Sequence, residues 1–444
     1  MDQKTGASKI KKLLNTIIML CSSQIAVAII ALTKNKVLAI ILGPVGIGLI
    51  AQLTASQNFI ATVVPMGMQI GATAQLSRLN DRTLLAQCLA TSSKVFLWLS
   101  FATMVVCFFF IKPITALTLG TSDLFMYMIP ALLGIPFLIQ TNVWVSYFQA
   151  RLELKTLAKV SVAGSFLGLL FLIPMVLIWG QWGAVLNVFL VALLGYFAAS
   201  AYARQLIPRD MKAEIKSSLF DLQTLRVMFR YGYANMPVFA LDIGIPFLIR
   251  AQIINDLGLT ANGIYQAVLA IPSLIMTMPF NALATYAFPK LSKLNSWKEI
   301  NAEVNTFVKI MFLIATLSSL VILTIRDVAI NLLYSKEFSL AICFLSWQTI
   351  GEYLKAVTMT IQFPLQPQEK FKARNIINGL QKAIFLIIFY LPSATMRLEG
   401  AVWGFAASWA FTLAAMYAYT NRVNGFKFTP ENWRLFVTGN AAVF

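Results

Sequence analysis

The chain has 444 residues, of which 59% are hydrophobic and 12% are charged, and its mean hydropathy is +0.75. A soluble protein of this length would carry about twice that share of charged residues, so the composition excludes the soluble classes. The formal net charge is +18 and there is no histidine, which excludes histidine-based acid–base chemistry and histidine metal sites.

Apolar runs recur along the whole chain, and each is close to the ~20 residues that a helix needs to cross a membrane. They predict an all-α polytopic membrane protein with about twelve spans. The first run follows three lysines and has no small-residue cleavage site, so we expect a retained span and no signal peptide. The predicted spans are 13–33, 45–68, 88–111, 124–148, 156–178, 183–203, 231–255, 263–288, 306–325, 340–363, 375–393 and 400–420.

The basic residues indicate the orientation of these spans. If the N-terminus, the even-numbered loops and the C-terminus share one side, that side holds 23 of the 35 lysines and arginines. Such a bias is typical of the cytoplasmic side, so both termini are predicted to be cytoplasmic. The positive charge is then explained by topology and by contact with anionic lipid head groups, and no nucleic-acid partner is needed.

The chain divides into two predicted halves. Residues 1–203 form an N-terminal six-helix bundle and residues 231–422 a C-terminal one. Between them, 204–230 is predicted to be a cytoplasmic amphipathic linker, because apolar residues from Ile215 to Leu225 recur at helical spacing. Residues 423–444 are a predicted cytoplasmic tail, apolar at its end and too short to span, to which the sequence assigns no role.

An internal repeat supports this division. A shift of 215 residues places "LGPVGIGLIAQ" on "LGLTANGIYQA" and "LSRL" on "LSKL". Each half has an even number of spans, so both enter from the same side. The repeat therefore predicts a pseudo-twofold axis along the membrane normal, as in transporters that move around a central site.

Charged residues inside the predicted spans are the candidate functional residues, because a charge at that depth costs about 2.5–3.5 kcal/mol and should face a cavity or a partner. Glu352 and Lys355 lie three residues apart and face the same side of a helix, so they either neutralise each other or serve transport. Asp242 has no oppositely charged residue three or four positions away in the sequence. We predict Asp242 and Glu352 to be ion-coupling residues or members of a structural pair.

Three further cations, Lys34, Lys36 and Arg250, lie near the predicted outer ends of spans 1 and 7. These cations have two possible roles, which are substrate binding and simple contact with lipid head groups. With Lys355 and the two carboxylates, they give a net charge of +2, which favours an anionic cargo. Uncharged polar residues suited to hydroxyl groups accompany them: Gln52, Asn58, Gln69, Asn142 and Asn235. The predicted substrate-binding residues are therefore Lys34, Lys36, Arg250 and Lys355, with Gln52 and Asn58.

The sequence contains no pattern of a catalytic or cofactor site. There is no GxSxG, P-loop or HExxH motif, and no two of the four cysteines have the spacing of metal ligands. We therefore expect no catalytic residues, no cofactor and no metal.

Five segments of the chain together carry a resemblance to known transporters: "LGPVGIGLIAQL", "PKLSKL", "IRDVAINLLYSKEF", "SWQTIGEYLKA" and "GAVWGFAASWAF". In their order and spacing they resemble the Wzx-type flippases of the multidrug/oligosaccharidyl-lipid/polysaccharide exporter superfamily, over about residues 10–422. The resemblance implies two six-helix bundles in a V shape and alternating access in the bacterial inner membrane. The implied cargo is an undecaprenyl-pyrophosphate-linked oligosaccharide such as an O-antigen unit, and the implied partners include a polysaccharide polymerase and a chain-length regulator.

Other functions remain as alternatives at this stage. An ion-coupled multidrug antiporter shares the implied fold but would favour a net acidic cavity. A murein-precursor flippase typically has two further spans. A membrane polysaccharide polymerase or ligase would need a large outer loop, whereas the longest predicted here has about fifteen residues.

Overall fold

The protein is helical throughout the residues that the structure, a computed structural model, describes: 2–79, 81–291, 294, 296–365 and 371–443. These ranges contain thirteen α-helices and three short 3₁₀-helices, and no β-strand. The α-helices are α1 (Asp2–Val63), α2 (Met68–Arg78), α3 (Arg82–Phe109), α4 (Ile111–Leu119), α5 (Phe125–Ala150), α6 (Leu154–Leu206), α7 (Arg209–Ser217), α8 (Leu222–Leu291), α9 (Trp297–Leu333), α10 (Ala341–Ile361), α11 (Phe371–Tyr390), α12 (Arg397–Asn424) and α13 (Pro430–Val443). The 3₁₀-helices are Lys336–Phe338, Phe363–Leu365 and Ala394–Met396.

Seven of the described helices are long and apolar enough to cross a membrane. The predicted class, an all-α polytopic membrane protein, is thereby confirmed, while the number of twelve spans stays a prediction. The seven are Ser22–Val63, Arg82–Phe109, Phe125–Ala150, Leu154–Leu206, Ala240–Asn281, Trp297–Leu333 and Ala394–Asn424.

Three of the longest helices are interrupted by a glycine with a positive φ: α1 at Gly43 (φ 63°), α6 at Gly180 (φ 54°) and α8 at Gly258 (φ 84°). Glycine adopts this conformation without steric cost because it has no Cβ. Each of these helices therefore consists of two segments that meet at the glycine, where the sequence predicts loops. Lys34 and Lys36 consequently lie within a helical segment that continues to residue 42.

The contacts divide the chain into two compact units. The first contains the chain up to Leu42 and Leu49–Asn255, and the second contains Gly43–Gly48 and Asp256–Phe444. The predicted bundle boundaries, with a linker at 204–230, remain a prediction.

Within the second unit, two segments related by the repeat cross at a very short distance. A Cβ atom on Gly48 would lie 1.9 Å from the carbonyl oxygen of Leu259, and one on Gly263 would lie 2.0 Å from that of Pro44. The 215-residue shift converts the first of these contacts into the second. The Asn262 side chain adds a hydrogen bond, since its Nδ2 donates to the Gly48 carbonyl at 2.7 Å. We call this arrangement the glycine crossing; it makes the repeat visible in the backbone.

The predicted amphipathic helix between the halves is shorter than expected. Helix α7 ends at Ser217, and α8 begins only at Leu222. The interruption has a local cause: the Asp221 carboxylate accepts hydrogen bonds from the backbone N–H groups of Gln223 and Thr224, at 3.0 and 2.8 Å, and so caps a new helix. The expectation of one helix continuing to Leu225 is therefore wrong.

The tail, to which the sequence assigns no role, contains a packed helix. Asn305 of α9 holds the chain before and within α13. Its Nδ2 donates to the Lys427 carbonyl at 3.0 Å, and its Oδ1 accepts from the Thr429 N–H at 3.2 Å and from Asn432 Nδ2 at 2.8 Å. Further along α13, a Cβ on Gly439 would lie 3.0 Å from the Tyr353 hydroxyl of α10. Helix α13 is therefore part of the second unit's packing.

Replacing Asn305 with alanine is expected to release α13 from α9, because it removes the hydrogen bonds to Lys427, Thr429 and the side chain of Asn432. At about 1 kcal/mol each, these three losses sum to about 3 kcal/mol and should raise amide hydrogen exchange in α13 by about 100-fold. Thr306→Ala is the matched control, since that exposed hydroxyl bonds only to Ala302 of its own helix. Unchanged exchange in the Asn305 variant would contradict the packing described.

Candidate functional site

Glu352 and Lys355 form an ion pair on α10. The Lys355 Nζ lies 3.1 Å from the nearer carboxylate oxygen of Glu352 and 3.4 Å from the other. Glu352 is 3% exposed, whereas the Lys355 side chain is 30% exposed. The lysine also lies 5.9 Å from the centre of the Phe405 ring on α12, within cation–π range. The structure therefore contains the ion pair that this spacing allows.

A small cavity adjoins this pair. Its volume is about 20 Å³, which accommodates roughly one water molecule or a monatomic ion and excludes a sugar. The charged pair is therefore suited to holding a proton or a single small ion, and not to enclosing a glycan in this conformation. The lining residues are Met276, Thr277, Phe280, Glu352, Lys355, Ala356 and Met359.

A third polar residue, which was not among those predicted from the sequence, lies on the same face of α10. Gln348 lies one turn before Glu352 and is completely buried, and its amide nitrogen and oxygen have no hydrogen-bond partner among the described residues. An unsatisfied buried amide costs about 1–3 kcal/mol. The Gln348 amide, beside the charged pair, is therefore a candidate to hydrogen-bond a water molecule or a transported group. Its position four residues before Glu352, within "SWQTIGEYLK", was the signal that could have identified it.

The other predicted site residues belong to the first unit. Arg250 is buried (9% exposed), Lys34 and Lys36 are half-buried, and Asp242 is exposed. Their convergence on one site remains a prediction.

The uncharged polar residues predicted to suit hydroxyl groups differ in burial. Gln52 is completely buried, and no described residue bonds its side-chain amide, whereas Asn58 is exposed. Of the accompanying polar residues, Gln69 and Asn142 are half-buried, and the side chain of Asn235 lies outside the part described.

The first unit contains a larger cavity of about 410 Å³, within the size range of small-molecule sites. Gln69, Ile70, Thr73 and Ala74 of α2 and Gln149 of α5 line it. Helix α2 starts here because the chain turns through Met66 (φ 50°) and Gly67 (φ 76°), which ends α1 and redirects the backbone. The lining combines polar and apolar side chains and carries no charge.

Comparison with known proteins gives consistent results. The family described as "Polysaccharide biosynthesis protein" matches residues 13–292. Two curated relatives, both named "Lipid III flippase", come from Escherichia coli (strain K12) and Shigella flexneri. Each is 25% identical over 334 residues, which are 73% of this chain and 78% of the relative.

Solved structures share the fold. "Lipid II flippase MurJ, inward closed conformation" has a TM-score of 0.80 at 12% identity, covering 96% of this chain and 92% of its own. A multidrug resistance MATE family transporter of the MOP superfamily, in an inward-facing conformation, has a TM-score of 0.76 at 15% identity, covering 92% of this chain and 98% of its own. At these identities the likeness concerns the fold alone.

Proposed function

This chain belongs to the polysaccharide biosynthesis protein family, and we propose that it is a flippase. It would carry an undecaprenyl-pyrophosphate-linked oligosaccharide repeat unit, such as an O-antigen unit, from the cytoplasmic to the periplasmic face by alternating access. The observation that carries the proposal is the match over 78% of the length of relatives named lipid III flippase. The shared fold with transporters named MurJ and MATE supports transport over catalysis.

The charges within the helices fit such a cargo. Lys34, Lys36 and Arg250 would bind the pyrophosphate or an acidic sugar, since a cation attracts an anion more strongly away from bulk water. Gln52 and Asn58 would contact sugar hydroxyl groups. The buried Gln52 amide, which has no bonding partner among the described residues, supports a polar ligand at that position.

Glu352 and Lys355 would couple transport to an ion gradient. The cavity of about 20 Å³ beside them supports a proton or one small cation as the coupling species. Asp242 is the second candidate for this role.

The protein would reside in the bacterial inner membrane with both termini in the cytoplasm, in keeping with the basic residues collected on one side. A polysaccharide polymerase and a chain-length regulator would act on the exported unit.

The test uses proteoliposomes that contain undecaprenyl-pyrophosphate oligosaccharide and an external glycan-modifying enzyme. We expect protein-dependent exposure of the glycan, stimulated by a proton or sodium gradient. The rate of exposure should fall about tenfold or more in the Lys36→Ala/Arg250→Ala double variant. Arg226→Ala/Lys298→Ala is the matched control, because it removes two exposed positive charges elsewhere. Absence of exposure from folded wild-type protein would contradict the proposal and favour an antiporter.

A further inference from the structure

The cavity of about 410 Å³ in the first unit has chemistry different from that of the charged residues. Its hydrogen-bonding groups are the side chains of Gln69, Thr73 and Gln149. The Thr73 hydroxyl already donates to the Gln69 carbonyl at 2.9 Å. The two amides are therefore the groups left to contact a ligand.

The side chains of three other glutamines of the same unit are bonded within the protein, whereas those of the half-buried Gln69 and the exposed Gln149 are not bonded by any described residue. Gln57, Gln75 and Gln140 each donate a side-chain hydrogen bond of 2.9 or 3.0 Å within the unit. Among the described residues, nothing bonds the side chains of Gln69 and Gln149, which line the cavity. Each amide offers a donor and an acceptor, which is the combination that a sugar hydroxyl also has.

The remaining lining suits the same ligand. Ile70 is 38% exposed and presents an apolar surface beside the amides. A neutral sugar ring has apolar C–H faces and polar hydroxyl edges, so it matches this mixture. A pyrophosphate would need cations, and the lining contains none.

The predicted topology places this cavity on the loading side. Gln69 follows the second predicted span, and Gln149 follows the fourth, and both spans end on the side that the basic residues identify as cytoplasmic. An oligosaccharide linked to a lipid is bound from that side before translocation.

We infer that this cavity is a loading subsite for an uncharged sugar of the cargo, with Gln69 and Gln149 as its hydrogen-bonding residues. The inference rests on the proposed function and adds a contact that reads the glycan, apart from the cations that would bind the pyrophosphate.

Two probes separate the subsite from the rest of the cargo: undecaprenyl pyrophosphate and the same lipid carrying one N-acetylglucosamine. Binding of each to the full chain in nanodiscs is measured. We expect the wild-type protein to bind the glycosylated probe about fivefold to tenfold more tightly. Gln69→Ala and Gln149→Ala should each remove most of that preference and leave affinity for the bare lipid unchanged.

Gln205→Ala, an exposed amide at the end of α6, is the control and should keep the preference. Equal affinity of the wild-type protein for both probes, or an unchanged preference in the two cavity variants, would overturn the subsite while leaving a pyrophosphate-lipid flippase intact. If the wild-type protein binds neither probe, both the proposed function and the subsite fail.

Discussion

Replacing Gly263 with alanine is expected to destabilise the protein by about 2–3 kcal/mol and to lower its melting temperature in detergent. The added Cβ would lie 2.0 Å from the Pro44 carbonyl oxygen and 3.1 Å from the Gly48 nitrogen. These are backbone atoms, so no side-chain rotation relieves the overlap, and the two segments must separate. Gly48→Ala should have a similar effect, because its Cβ would meet the Leu259 carbonyl oxygen at 1.9 Å.

The matched control is Gly379→Ala in α11, where a Cβ would meet no heavy atom within 4 Å. Alanine is favoured over glycine inside a helix by about 0.5–1 kcal/mol, so this variant should melt at the wild-type temperature or above it. Equal melting temperatures for the Gly263 and Gly379 variants would show that the glycine crossing is not as close as described.

Replacing Lys355 with methionine is expected to cost on the order of 3 kcal/mol, the lower end of the range for breaking a buried pair. The variant leaves the carboxylate of Glu352 buried without its cation, although solvent that reaches the Lys355 position moderates the loss. Adding Glu352→Gln should restore most of the stability, because no buried charge then remains. Thermal unfolding of the single and double variants measures both effects.

A second lysine–glutamate pair provides the control. Lys309 and Glu431 lie 2.5 Å apart, with 42% and 62% of their side chains exposed. Exposed pairs contribute about 1 kcal/mol or less, so Lys309→Met should melt near the wild-type temperature.

Transport then distinguishes the two roles of the Glu352–Lys355 pair. If the pair couples transport to an ion, the double variant folds but no longer responds to a proton or sodium gradient in proteoliposomes. Gradient-driven export at the wild-type rate by that variant would reduce the pair to a structural role.

Hydrophobic patterning was sufficient for the helical membrane class, because long apolar runs have few alternatives in lipid. The repeat could also be identified from the sequence, since Gly43 and Gly48 match Gly258 and Gly263 at one shift. The continuity of α1 through Lys34 and Lys36 could not be predicted from the sequence, because charged residues are rare inside a membrane span and are more typical of its end.

The site was only partly predictable for a different reason. The spacing of Glu352 and Lys355 lies within one helix, so their pairing followed from helical geometry. The isolation of the Gln348 amide and the cavity of Gln69 and Gln149 depend on packing between segments far apart in the chain, which spacing does not encode. The start of α8 at Leu222 depended on whether the Asp221 carboxylate caps the backbone or faces solvent, and the apolar pattern favoured the wrong choice.

The glycine crossing also limits how far the two repeats of this chain can differ. Elsewhere each repeat can change alone, since only ten of 38 positions over 42–79 are identical at the 215-residue shift. At the crossing, the absence of a side chain at Gly48 makes room for the Leu259 carbonyl, and its absence at Gly263 makes room for the Pro44 carbonyl. A larger residue at position 48 or 263 would require a backbone change in the opposite repeat, so neither repeat could change there on its own.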